Sequence, residues 1–238
     1  MVHSLTATAI LAQAPTIQTT NKHHENSSHS AAVFPTSPTT TMAHKFLHLA
    51  FTPQVLAAQQ HYYGRSQNLP PAVENDPLGP DEAAFIESRD SFYVSSVSET
   101  GWPYVQHRGG PVGFLKVISP NEVAFADYKG NRQMLSTGNV ATNDRVCLFL
   151  MDYPRRERLK MLGHAEAIDA REHPELVAQI AQPELVKITE RIVRIRIISY
   201  DWNCPKYITP RFTATDVNEL IAPLKARIAE LESQLKTN

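Results

Sequence analysis

Along most of the middle of the chain, apolar and polar residues alternate with a period of two. The longest such run is residues 188–200, where Ile192, Val193, Ile195, Ile197 and Ile198 are interleaved with Arg191, Arg194 and Arg196. That pattern predicts a strand with one face buried and one face wet. Shorter runs at 91–98, 104–108, 114–119, 123–126, 145–151 and 159–168 read the same way. Turn residues separate them: Glu99-Thr100-Gly101, Pro120-Asn121, and the charged loop Pro154-Arg155-Arg156-Glu157-Arg158. Many short strands joined by turns predict an antiparallel sheet of barrel type.

A few stretches follow the helical period instead. Thr52-Pro53 is a helix start, because Thr caps and Pro fits the first turn; the helix is expected through Tyr63. Helices are also expected over 81–89, 132–140 and 173–182. At the end of the chain Val217, Ile221, Leu224, Ile228, Leu231 and Leu235 are spaced 4, 3, 4, 3 and 4, with Lys, Arg and Glu between them. This heptad stripe predicts an amphipathic helix over 213–238. The stripe is open to two uses, packing on its own domain or contacting a second copy.

Residues 1–41 are dominated by Thr, Ser, Ala, His and Pro and carry too little apolar surface to build a core, so a disordered tail is expected. It lacks the basic start of a signal peptide, its apolar stretch is short, and Pro15 follows the candidate cut at Ala12-Gln13-Ala14. It has no arginine, unlike a transit peptide. Met42 opens the globular part and is itself a candidate start; one domain is expected over 42–212.

Charge narrows the choice of partners. With 23 Lys and Arg against 24 Asp and Glu, the formal net charge is −1, so nucleic acid or an anionic membrane is not the expected partner. No apolar run is long enough to cross a bilayer. Two cysteines, Cys147 and Cys204, make no disulfide framework and no zinc cluster, which favours a reducing, cytoplasmic location. No spacing of His, Cys, Asp or Glu calls for a metal.

Candidate chemistry concentrates in two loop segments about twenty residues apart. The first is Gln106-His107-Arg108-Gly109-Gly110-Pro111-Val112-Gly113-Phe114, at the end of a strand. The second is Asp127-Tyr128-Lys129-Gly130-Asn131-Arg132-Gln133, which follows a strand and is expected to open a helix. Glycine lets a backbone approach a ligand, and arginine suits a phosphate. A helix start adds unpaired N–H groups and the positive end of a dipole. After the last strand, Trp202, Cys204, Lys206, Tyr207 and Arg211 are candidates for lining a substrate pocket.

The two segments together resemble the flavin mononucleotide (FMN) site of the split-barrel flavoproteins, the family of pyridoxamine 5'-phosphate oxidase. The closer resemblance is to a branch of flavin-nucleotide-binding proteins with the signature Gln-x-Arg-Gly-Gly-Pro-x-Gly-Phe, which residues 106–114 match in full. The oxidases carry Ser-Arg-Lys where this chain has Asn131-Arg132-Gln133, so Arg108 is the substitute for the missing lysine. They also end in Arg-Leu-Ala-Pro after a Trp; Trp202 is present and that ending is not, so pyridoxamine phosphate is not the implied substrate.

The resemblance covers roughly residues 45–211. It implies a mainly β (α+β) fold: a six-stranded antiparallel split β-barrel with flanking helices, to which the amphipathic helix is appended. It further implies FMN at a homodimer interface and an oxidoreductase acting on an unidentified small molecule. The implied cofactor residues are Gln106, His107, Arg108, Gly109, Gly110, Asp127, Tyr128, Asn131, Arg132 and Gln133; no catalytic acid or base is assigned. Two alternatives stay open on the same barrel. One is a non-catalytic flavin or heme carrier or sensor, and the other a deazaflavin-dependent reductase.

Overall fold

In the computed structural model, which describes residues 44–202 and 206–237, each alternating run of the sequence becomes one strand. They are β1 (Ser91–Val97), β2 (Pro103–Gly109), β3 (Leu115–Ser119), β4 (Glu122–Tyr128), β5 (Arg145–Asp152), β6 (Glu157–Asp169) and β7 (Thr189–Trp202). All pairings are antiparallel, in one sheet of order β2-β1-β5-β6-β7-β4-β3. The sheet therefore holds seven strands, one more than the six expected, with helices around it. Its two edges, β2 and β3, do not pair with each other, so the sheet curls without closing.

The curl is visible in the core. Phe92 of β1 meets Phe125 of β4 edge-on at 5.3 Å, although three strands lie between β1 and β4 in the sheet order. Phe114 stacks on Phe92 at 5.6 Å. Leu148, Leu150, Leu159, Met161, Ile195 and Ile197 fill the rest of the interior and are fully buried. Each such side chain contributes about 1.5–3 kcal/mol by leaving water. On the opposite face of the sheet Ala124, Ala126 and Ile192 pack under Val177 and Ile180. Alanines there let a helix lie close to the strands.

The helices are α1 (His44–Ala50), α2 (Pro53–Tyr63), α3 (Pro80–Glu87), α4 (Leu135–Thr142), α5 (Pro174–Ile180) and α6 (Ala214–Thr237). Helix α1 has no counterpart among the sequence expectations; buried Asp76 accepts from its first amides, Lys45 N and Phe46 N, both at 3.0 Å. Helix α2 starts as expected, with Thr52 accepting from Val55 N, and ends at Gly64 in the left-handed conformation, φ 67°. Helix α4 starts three residues later than expected, because Arg132 and Met134 take left-handed φ values of 60° and 59°. Helix α5 stops two residues early, and Pro183 opens a 3₁₀ turn that leads into β7. Helix α6 spans the heptad stripe. Among the described residues no helix is long and apolar enough to cross a membrane. The expected tail at 1–41, and Cys204, lie outside the described residues.

Candidate functional site

The open seam of the barrel is where the polar side chains converge. On β2 the strand period turns Tyr104, Gln106 and Arg108 to the inside and Val105, His107 and Gly109 to the outside. On β4 the same period places Asp127 inside, two residues beyond core Phe125. Strand β7 is in register with β4 so that Arg191 lies opposite Asp127. Three strands thus deliver two guanidiniums and one carboxylate to one point.

Asp127 is clamped from both sides. Its Oδ1 accepts from Arg108 Nη1 at 2.5 Å, and its Oδ2 accepts from Arg191 Nε and Nη2 at 2.9 and 2.8 Å. The side chains of Asp127, Arg108 and Arg191 are only 7%, 16% and 17% exposed. Where backbone hydrogen bonds would close a full barrel, this ion cluster ties β2 to β4. Removing Asp127 would leave both guanidiniums without their shared counter-charge, at a cost of about 3–5 kcal/mol. The cluster does not use every donor. Arg108 Nε is buried with no acceptor, a position that gains from an incoming anion or carbonyl.

The loop after β4 forms the rim. Asn131 Oδ1 accepts from Gln133 N at 3.2 Å, a local turn where a helix start was expected. Arg132 is 63% exposed and makes one long contact, 3.4 Å, to Glu190. Ser136, on the first turn of α4, donates to Gln106 Oε1 at 2.6 Å and fixes that amide. Burial pushes the Tyr128 phenol above its ordinary pKa, so it stays neutral at physiological pH. Together these groups bound a cleft of about 210 Å³.

Of the expected cofactor residues, the cleft brings together Gln106, Arg108, Asp127, Tyr128, Asn131, Arg132 and Gln133. His107 points to the opposite face of β2, where it meets the Tyr93 ring at 5.5 Å. Gly109 and Gly110 do not line the cleft. Gly110 has a packing reason instead: a Cβ there would stand 2.7 Å from Cγ of buried Phe114. Arg191, Glu190 and Ser136 line the cleft but were not among the expected residues. A carboxylate ending a strand of buried residues is the one sequence signal that could have pointed to Arg191, since it demands cations nearby.

Of the expected substrate-pocket residues, Trp202, Lys206, Tyr207 and Arg211 do not line the cleft. Trp202 is eleven residues beyond Arg191 on the same strand, about 36 Å along it. Its indole N–H donates to buried Glu82 at 2.7 Å, and its ring meets Phe85 at 4.8 Å, so it fastens β7 to α3. Arg211 lies over the Tyr153 ring at 4.8 Å, and Lys206 over the Tyr207 ring at 5.4 Å. Within one chain these residues and the cleft are therefore separate. His164 hydrogen-bonds Asp144 at 2.9 Å in a second, open cleft on the outside of the sheet. No group of three or more potential metal ligands occurs among the described residues.

The family model of pyridoxamine 5'-phosphate oxidase matches residues 78–197, half of the chain and all seven strands but the end of the last. The chain belongs to that family. Among solved structures, it is similar to a putative pyridoxamine 5'-phosphate oxidase from Lactobacillus delbrueckii, at 17% identity over 54% of this chain and 94% of that one, TM-score 0.41. It is also similar to HupZ of Group A Streptococcus, at 13% identity over 52% and 91%, TM-score 0.40. An FMN-binding protein from Syntrophomonas wolfei matches at 9% identity over 51% and 83%, TM-score 0.39. No curated protein sequence matches the chain significantly.

Proposed function

We propose that the chain is an FMN-binding oxidoreductase of the pyridoxamine 5'-phosphate oxidase family, acting as a homodimer on a small molecule. The observation that carries this reading is the arginine-rich cleft at the barrel seam, with its unpartnered buried Arg108 Nε. Three guanidiniums, Arg108, Arg132 and Arg191, face two carboxylates, Asp127 and Glu190, so a positive charge is left for an anion. Arg132 is the most exposed of the three and swings from Glu190 to the phosphate, where a charge-assisted hydrogen bond is stronger than its present long contact. Gln106, held by Ser136, presents its amide inside the cleft. Tyr128 contributes a neutral phenol.

The size of the cleft supports the dimer. At about 210 Å³ it falls below the ~300–1,000 Å³ of sites that bury a drug-sized ligand. It suits the phosphate end of a flavin nucleotide, and the ring then needs a second wall. A second copy supplies that wall, and this is the setting in which Trp202, Lys206, Tyr207 and Arg211 reach a ligand. Bound flavin supplies hydride transfer; the chain's own part is binding, orientation and exclusion of water. The reading includes a reducing, cytoplasmic location, because two cysteines are too few for a disulfide framework.

The reading is tested by mixing the FMN-loaded protein with NADPH or NADH and following flavin absorbance in air. Bleaching followed by recovery on repeated additions is expected of an oxidoreductase. Bound FMN that dithionite reduces and air re-oxidises, but that neither nucleotide reduces, would assign the chain a carrier role.

A further inference from the structure

Helix α6 is 24 residues long, and its apolar stripe is bare. Leu224, Ile228 and Leu235 are 64%, 56% and 77% exposed, and only Ile221 is partly covered. Most helical stability in proteins comes from packing an amphipathic face, and Pro223 inside α6 removes one backbone hydrogen bond. Something must cover the stripe. The barrel of the same chain does not.

We propose that α6 pairs with α6 of a second copy as a parallel two-stranded coiled coil. The order of the spacing assigns the positions: Ile221, Ile228 and Leu235 fall at a, and Val217, Leu224 and Leu231 at d. In the two central heptads, Ile221 and Ile228 at a stand with Leu224 and Leu231 at d, the combination that favours two parallel strands over three or four. Charge agrees with this. In a parallel pair each g position faces the e position five residues on in the other strand. Arg227 is at g and Glu232 at e, so two symmetric attractive pairs form. The present partner of Arg227 is Glu230 on the same helix, an exposed contact that is readily exchanged. Pro223 falls at c, on the outside, where it touches no partner strand.

The stripe covers less than three heptads, too short to hold two chains together alone. The inference therefore rests on the proposed dimer of barrels, which tethers two helices and raises their effective concentration. The coil in turn steadies that dimer.

Directed cross-linking tests the geometry. In a full-length Cys147→Ser, Cys204→Ser background, Leu231→Cys places a thiol at a d position and Glu219→Cys one on the outer face. In a parallel pair the two thiols introduced by Leu231→Cys meet across the seam, within disulfide range. In an antiparallel pair centred on the stripe they stand ten residues apart, about 15 Å, which forbids a bridge. The expected result is a covalent dimer for Leu231→Cys under mild oxidation and none for Glu219→Cys. Equal, low cross-linking of both variants in a protein whose light-scattering mass is two chains would overturn the coiled coil and leave the barrel dimer standing. The same result with a mass of one chain would overturn both.

Discussion

Arg132 offers a clean separation of ligand binding from folding. Its guanidinium is largely in solvent and holds Glu190 at only 3.4 Å, so Arg132→Ala should change folding stability by no more than about 0.5 kcal/mol. If Arg132 reads the phosphate, the variant loses a hydrogen bond to a charged group, about 1.5–3 kcal/mol. At about 1.4 kcal/mol per tenfold, the dissociation constant of FMN should rise roughly 10- to 150-fold. Riboflavin has the same ring and chain but no phosphate, and its affinity should hardly move. Titration of each flavin by fluorescence, with a thermal melt of the apoprotein, reads all three quantities. Arg108→Ala is the contrast. It leaves Arg191 as the counter-charge of Asp127 but takes the donor from buried Oδ1, so it should cost about 1–3 kcal/mol of folding stability before any ligand is added. Equal losses of FMN and riboflavin affinity in Arg132→Ala would refute the assignment of Arg132 to the phosphate.

Other variants probe the frame that holds the cleft. A Cβ at position 163 would stand 2.6 Å from Arg196 O in the paired strand, so Gly163→Ala should lower the unfolding free energy, read from denaturant melts, by about 1–3 kcal/mol. Gly138, in α4 with open space around it, should instead gain about 0.5–1 kcal/mol on replacement by Ala. Tyr200 is pushed from 10.0 up to about 12, first by burial and then by the charges of Glu82 and Asp76. The folded state then holds that proton more tightly than the unfolded one. Its contribution is complete below pH 10 and is lost as pH rises from 10 to 12, and Tyr200→Phe should flatten the denaturant midpoint across that window. A chain beginning at Met42 should melt like the full chain. One beginning after Phe51 should melt earlier, because Asp76 loses the two amides of α1.

Much of this architecture is legible in the sequence, because a half-buried strand writes its period into its residues. Strand β7 shows it best, with Val193, Ile195 and Ile197 in the core and Arg194 and Arg196 outside. The same period explains why His107 lies apart from Gln106 and Arg108: neighbours on a strand face opposite ways, whatever motif they share. What the sequence hides is register. Arg191 looks like its neighbours Arg194 and Arg196, and only the pairing of β4 with β7 sets it against Asp127. Trp202 is 120 residues from Glu82, and no local signal announces that contact. The start of α4 escaped for another reason. Arg132 and Met134 adopt left-handed backbone without the glycine or asparagine that usually marks it. The stripe of α6 was plain from its spacing, while its exposure was not.

The central claim is that the seam cleft holds a flavin carrying a phosphate. The most direct measurement is to purify the protein, add FMN, remove the excess by gel filtration, and identify what is released on denaturation by absorbance and mass. A yellow protein releasing flavin mononucleotide, near one per chain, is the result expected here. A colourless protein that fails to retain FMN at micromolar concentration, while its melt shows it folded, would contradict the account.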